Sequence, residues 1–457
     1  MGFLTRDKQF YRSFFSMVFF IAVQNVITFG VNLADNVMLG QYSETALSGA
    51  ALSNQVQFLL QMVVGGAGEG MMVLTAQYWG KGDAMPIRRI VAKGMAFGVP
   101  VVAGFFAVSF FFPQAVLSLL SNEAPILSAG AQYLGILSFS FPFFYISSLL
   151  TASQRSVGNS KLGMFLSLAA LFLNVGLNYV LIFGHLGFPA MGIRGAAYAT
   201  LTARVVECLL AAGYVLCLDK RLQMKIKDFF TFDRLLNRDF NRIALPVVLS
   251  GSSWGIAMGV QTSILGHMGP AAIGANSIAT ALYQVVTVVA FGAAAAASIL
   301  MGQTVGRGDL HLVKAYSRTL QTLFLLIGLV TGGLLYLMRG PVISLYGADI
   351  APETQALADS FLTILSITVV GTAYQMACLT GIVRGGGNTR FVLINDLVFM
   401  WGLVLPAAYL CAFVFRLSPA VVFFCLKSDQ ITKCLVAVFV VNRYRWVRQV
   451  TRTSSSV

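Results

Sequence analysis

The sequence predicts an all-α integral membrane protein of twelve transmembrane helices, built as two six-helix lobes that repeat in parallel about a pseudo-two-fold axis along the membrane normal. Three observations lead there: an apolar composition, long hydrophobic runs at regular intervals, and an internal repeat. Of 457 residues, 57% are hydrophobic and 11% charged, and the mean hydropathy is +0.78. Soluble domains carry about 25% charged residues. Runs long enough to cross a hydrocarbon core of about 30 Å as helices fall near residues 13–39, 47–79, 91–112, 126–154, 162–184, 192–218, 241–266, 272–305, 315–338, 354–383, 391–415 and 418–441. Several exceed the roughly 20 residues required, which implies tilt or projection beyond the bilayer.

The net charge of +14 would direct a soluble chain toward nucleic acid, but the placement of the basic residues argues against that partner and sets an orientation instead. Of the 31 Lys and Arg, 25 lie in the N-terminal segment, the even-numbered loops and the tail, among them Arg6, Lys8, Arg88, Arg89, Arg155, Arg221, Arg234, Arg307, Arg390 and Arg445. The odd-numbered loops hold only Arg194, Arg339 and Arg416, whereas Arg204, Lys427 and Lys433 fall inside spans. The expectation is a multi-pass protein of the cell (plasma) membrane with both termini cytoplasmic. The first run is too long for a signal-peptide core and is read as a retained span. The six cysteines lie within apolar spans, and His185, His267 and His311 are scattered, so neither a disulfide framework nor a metal cluster is expected. Gly385-Gly386-Gly387 follows a membrane span rather than a strand, which makes it a helix terminator and not a phosphate loop. No enzyme is indicated.

The repeat divides the chain. An offset of 226 residues pairs Leu39-Gly40 with Leu265-Gly266, Gly66 with Gly292, Gln77 with Gln303 and Gly80-Lys81-Gly82-Asp83 with Gly306-Arg307-Gly308-Asp309. An offset of 229 pairs Arg155, Gly158 and Asn159 with Arg384, Gly387 and Asn388. The domains read from this are an N-lobe over 1–218, a basic cytoplasmic linker over 219–240, expected as a surface helix, and a C-lobe over 241–457. Because six spans is an even number, the halves run the same way, as in transporters built from parallel repeats.

Charges inside hydrophobic runs are costly and mark functional sites by default. In Asn32-Leu33-Ala34-Asp35-Asn36, Asp35 precedes the turn at Gly40 by about 8 Å of helix. Asn178 precedes Gly184 by about 9 Å, and Thr200 follows Gly195 by about 8 Å, so all three reach one depth. Asn174 shares a helix face with Asn178 one turn deeper. A carboxylate with amide and hydroxyl oxygens suits an alkali cation, so sodium is possible at Asp35, Asn174, Asn178 and Thr200, and a proton could take its place at the same carboxylate. The competing reading leaves Asp35 solvated at the interface and the asparagines as interhelical hydrogen-bonding groups.

Glu69 is the second anomaly, since its repeat partner is Ala295. It is a candidate for substrate binding or proton relay, with Asn32 and Gln261, the counterpart of Asp35; alternatively it pairs with Arg204. Arg204 and Glu207, three apart, and Asp429 and Lys433, four apart, read as structural ion pairs. Asp396 lies in the inner part of span 11. The 17 methionines and 36 phenylalanines are packing or lipid-facing residues first, some of which suit an adaptable cavity.

The two parallel halves, the Gln77-Tyr78-Trp79-Gly80-Lys81-Gly82-Asp83 run, the Arg-x-x-Gly-Asn motifs at Arg155 and Arg384, and Asn174 to Gly184 followed by Gly195 to Thr200 together resemble the multidrug and toxic compound extrusion (MATE) family. The resemblance covers nearly the whole chain. It implies a secondary active antiporter that exports organic, often cationic, drug-like compounds in exchange for sodium ions or protons by rocking of the lobes, with Asp35, Asn174, Asn178 and Thr200 as its cation-coupling site. The partners implied are a small-molecule substrate, a coupling cation and membrane lipid; the chain is expected to be a monomer with no cofactor. Two features depart from parts of the family. Gln261 and helix 10 lack the carboxylates of the branch with a C-lobe ion site, and helix 1 lacks a proline before Asp35, while Pro246 lies in the other lobe. The alternative is a flippase for lipid-linked intermediates of the same wider superfamily, which would need a basic cavity. A non-transporting scaffold would leave Asp35 and Glu69 without a purpose.

Overall fold

The computed structural model describes residues 4–230, 233–345 and 351–452. Among them every regular element is helical. We number the membrane helices α1 (Lys8–Tyr42), α2 (Glu44–Lys81), α3 (Ala84–Phe111), α4 (Ala124–Leu137 with Ser140–Ser156), α5 (Lys161–Phe183) and α6 (Ile193–Leu218) in the first half. The second half holds α7 (Arg234–Gly266), α8 (Pro270–Arg307), α9 (Leu310–Leu345), α10 (Pro352–Val383), α11 (Thr389–Val414) and α12 (Pro419–Lys427 with Asp429–Arg443). Ten of these are single helices long and apolar enough to cross a bilayer, and α4 passes as a bent pair. The last, α12, differs because it is broken at Ser428 into helices of 9 and 15 residues, each shorter than a span.

Two expectations need correction, and a third gains detail. The single span over 126–154 is broken by 52°. Pro142 explains the break: without an N–H it cannot bond the Ser138 carbonyl, and Phe141 N donates to that oxygen instead at 3.1 Å. The linker is not one surface helix. It forms a short turn at Ile226–Phe230, and α7 already begins at Arg234. Basic residues counted as loop anchors also have structural work: Arg221 donates to Val157 O at 2.7 Å, Arg88 to Leu222 O at 2.6 Å, and Arg89 pairs with Asp233 at 3.2 Å.

The described chain packs as two compact units. Unit 1 comprises residues up to Ala22, Ala76–Lys81 and everything from Leu249 on; unit 2 comprises Val23–Thr75 and Gly82–Val248. Thus the first turns of α1 pack in unit 1, and those of α7 in unit 2. Small residues make this possible, as is usual where membrane helices approach closely. In unit 2, a Cβ on Gly66 or Gly70 of α2 would meet the backbone of Val248 or Ala244 of α7 at 2.7 and 2.5 Å. In unit 1, the counterpart Gly292 of α8 faces Val18 O of α1 at 3.1 Å and Ala22 N at 3.4 Å. Val18 and Ala22 are the repeat partners of Ala244 and Val248, so the duplication extends to individual packing contacts.

The loops repeat as well. Gly82 and Gly308 take left-handed φ of +83° and +79°, and Asp83 and Asp309 each cap the helix that follows. Gly158 and Gly387 take φ of +80° and +98°, while Asn159 N and Asn388 N both donate to a carbonyl five residues back. Within unit 1 the ends of α2 and α8 cross reciprocally: a Cβ on Gly80 would overlap the Gln303 carbonyl, and one on Gly306 the Gln77 carbonyl.

The segment after α12 lies along this crossing. Trp446 is buried, and Arg448 N donates to Gly386 O at 2.9 Å. Gln77 grips the same segment with both ends of its amide, donating to Arg448 O at 3.1 Å and accepting from Val450 N at 2.9 Å.

Replacing Gly306 by alanine is expected to destabilise the protein by about 1–3 kcal/mol, because overpacking at a backbone crossing cannot relax through a side chain. Gly65→Ala, whose Cβ would meet nothing within 4 Å, is expected to be neutral or stabilising by up to about 1 kcal/mol. Thermal unfolding of both variants in one detergent checks the pair.

Candidate functional site: a buried carboxylate in unit 2

Asp35 sits near the end of α1, two turns before its last residue, and is only 8% exposed. The structure brings α5 and α6 against it. Asn178 Nδ2 donates to Asp35 Oδ1 and, at 3.2 Å, to Asn174 Oδ1. Asn174 Nδ2 in turn donates to Thr200 Oγ1 at 3.3 Å. The four residues expected to converge from three helices therefore form one continuous buried network. Asn32 is exposed and lies outside it.

The network has an acceptor surplus. Asn178 Oδ1 is buried and accepts no hydrogen bond, a costly state for an amide oxygen away from water. Arg204 acts on Asp35 only at longer range, because its guanidinium is engaged by Glu207 at 2.7 Å and lies over the Phe144 ring. Among the described residues, no lysine or arginine forms an ion pair with Asp35, so the carboxylate has amide donors but no balancing charge. Carboxylate, amide and hydroxyl oxygens without sulfur or imidazole fit a hard monovalent cation. Among the described residues no group of three or more His, Cys, Asp and Glu could hold a metal ion.

Tyr133 was not legible as part of this site. It projects from the first arm of α4, is buried, reaches the Thr200 hydroxyl and senses the Asp35 charge. An uncharged tyrosine in an apolar run carries no sequence signal that separates it from packing.

Glu69 is exposed on α2, and Arg204, its alternative partner in the sequence reading, forms an ion pair with Glu207. It acts electrostatically on Arg155. Arg155, counted in sequence as a loop anchor, is the last-turn arginine of α4; its Nη2 donates to Gln24 Oε1 at 2.6 Å, and its Nε is buried without a hydrogen-bond partner.

Unit 1 contains a different set. Lys433, with 7% of its side chain exposed, bridges Asp429 and Asp396 at 3.3 Å each, so the ion pair expected within α12 also takes in Asp396 of α11. Ser250 of α7 donates to the other oxygen of Asp396 at 2.6 Å. Gln261, the counterpart of Asp35, accepts from Lys427 Nζ at 3.4 Å and donates to Met400 Sδ at 3.4 Å.

Comparison with known proteins agrees with this architecture. A probable multidrug resistance protein, NorM, of Thermotoga maritima is 26% identical over 436 residues, covering 95% of this chain and 92% of its own. A transporter of the MOP superfamily from Pyrococcus furiosus, described as having a binding pocket of reverse polarity that suggests a different function, superposes with a TM-score of 0.87 at 18% identity, over 98% of this chain and 100% of its own. An outward-facing multidrug resistance MATE family transporter of that superfamily does so with a TM-score of 0.85 at 18% identity, covering 96% and 98%. The MatE family model matches residues 21–180 and 248–410, one stretch in each half. With both halves matched, the chain belongs to the MatE family, the multidrug and toxic compound extrusion proteins, and is a multi-pass membrane transporter rather than an enzyme.

Proposed function

We propose that this chain is a secondary active antiporter that exports organic, drug-like and often cationic compounds in exchange for sodium ions or protons, by rocking of its two six-helix halves. The observation that carries the reading is the buried network of Asp35, Asn178, Asn174 and Thr200, with an unsatisfied oxygen on Asn178 and no ion-pair partner for the carboxylate among the described residues. A carboxylate withdrawn from water needs a compensating charge. An entering ion supplies it for part of the cycle and leaves it unmet for the rest, which is the differential a driven exchanger requires.

When sodium is the ion, Asp35, the side-chain oxygens of Asn174 and Asn178, and Thr200 Oγ1 hold it; when it is a proton, Asp35 alone does, with the Asn178 amide orienting the carboxyl. Glu69, exposed and electrostatically linked to Arg155, is a candidate for meeting a cationic substrate or relaying a proton. The concentration of basic residues in the even-numbered loops supports cytoplasmic termini in a plasma-membrane protein. The proposed working unit is a monomer surrounded by lipid. A flippase for pyrophosphate-linked lipids would need free intramembrane bases; Arg204 is paired with Glu207, Lys433 with two aspartates, and Lys427 donates to Gln261 and acts electrostatically on Asp429, which favours the antiporter.

Efflux of an organic cation from proteoliposomes tests this. With Asp35→Asn, transport driven by an imposed sodium or proton gradient is expected to fall to the protein-free background, and transport equal to wild type under both gradients would sink the assignment. Asn178→Ala is expected to weaken the apparent affinity for the driving ion by roughly ten- to a hundredfold, the loss of about 1.5–3 kcal/mol from a hydrogen bond to a charged group, while the maximal rate at saturating ion changes less.

A further inference from the structure

The repeat sets Gln261 of α7 where α1 has Asp35. Gln261 is 5% exposed, and an amide cannot balance a cation by charge. It faces one nonetheless. The Lys427 ammonium donates to Gln261 Oε1 at 3.4 Å, lies 5.5 Å from the Phe423 ring centroid and acts electrostatically on Asp429. A carbonyl oxygen and an aromatic face are surroundings that favour a desolvated ammonium.

The charges nearby identify what this ammonium does. Lys433 is shared by two carboxylates, Asp396 and Asp429, at 3.3 Å each. The hydrogen bonds those carboxylates accept from neutral side chains are from Ser250 Oγ to Asp396 at 2.6 Å and from Gln430 Nε2 to Asp429 at 2.8 Å. Two aspartates against one lysine leave a single negative charge, and Lys427 brings the cluster to neutrality. This cluster is therefore balanced by its own side chains, whereas Asp35 in unit 2 has no ion-pair partner among the described residues.

We propose that Lys427 is a resident cation: it fills in unit 1 the position that the coupling ion takes beside Asp35 in unit 2, so that unit 1 takes up no ion during transport, and a vacancy there accepts a small monovalent cation. The comparison with unit 2 rests on the reading of Asp35 as the ion site; the charge balance within unit 1 does not. The consequence for the exchange is that each chain couples through a single ion site.

The test is equilibrium binding of radioactive sodium to the purified full-length protein in lipid nanodiscs at mildly alkaline pH. Lys427→Met is expected to bind one more sodium ion per chain than wild type, to keep that ion when combined with Asp35→Asn, and to lose it when combined with Asp429→Asn. Lys427→Arg, which keeps the charge, is expected to bind no more than wild type. Equal binding by wild type and Lys427→Met, with and without Asp35→Asn, overturns the proposal. Wild type compared with Asp35→Asn reports separately on unit 2: equal sodium binding there counts against Asp35 as a sodium site and leaves the Lys427 comparison intact. Should Lys427→Met not yield folded protein, Lys427→Ala is purified and melted with and without ethylammonium, which can replace the missing ammonium. A rise of several degrees in the variant but not in wild type supports the proposal, and no rise overturns it.

Discussion

A charge inside a membrane helix has to be answered, and the structure depends on how each one is. At the bilayer centre an unanswered Asp, Lys or Arg costs about 2.5–3.5 kcal/mol even on the most lenient scales. Arg204 is answered by Glu207 three residues away on the same helix, and Lys433 by two aspartates on α11 and α12. Asp35 stands apart, because α5 offers it amide donors, backed by the Thr200 hydroxyl of α6, and no cation among the described residues forms an ion pair with it. Beside Arg204 and Lys433, which are neutralised locally, a carboxylate left to neutral donors inside a membrane helix is where an external ion has a large effect on energy.

The scaffold can hold such a residue because its own framework is over-determined. Each half repeats the other in its turns, caps and helix crossings, down to the glycines of α2 and α8 and the small residues of α7 and α1 that they meet. Glycine lets the backbones approach until carbonyl and Cα atoms fill the space of a side chain, giving dispersion contact where no hydrophobic effect operates between helices in lipid. The two halves share this frame and differ in the polar residues set into it: Asp35 against Gln261, Glu69 against Ala295.

Much of this was legible in the sequence, for identifiable reasons. Among the described residues, ten of the twelve apolar runs are single spanning helices and an eleventh is a bent pair, because in lipid every backbone group must be satisfied within its own segment, so hydropathy speaks directly to structure. The repeat was legible through glycines and aspartates that have one conformational purpose. The site residues on α1, α5 and α6 were legible because polar groups stand out in apolar runs. What escaped had no such contrast. Pro142 was visible, but its break of α4 depends on which carbonyl it deprives. Tyr133 looks like packing, Arg155 looks like an anchor until its position in α4 is known, and the reach of Lys433 to Asp396 is a tertiary fact that helical spacing cannot contain.

The segment after α12 shows how adjacent residues can answer to different rules. Gln77 holds it only through the main-chain carbonyl of Arg448 and the main-chain amide of Val450, groups common to almost every amino acid. Trp446, in contrast, is enclosed, and the space it fills is set by its indole against Gly386. Along this short stretch, then, substitutions should be tolerated where the chain is gripped by its backbone and rejected where it is anchored by its ring, whereas inserting or deleting one residue between the two would throw both out of register.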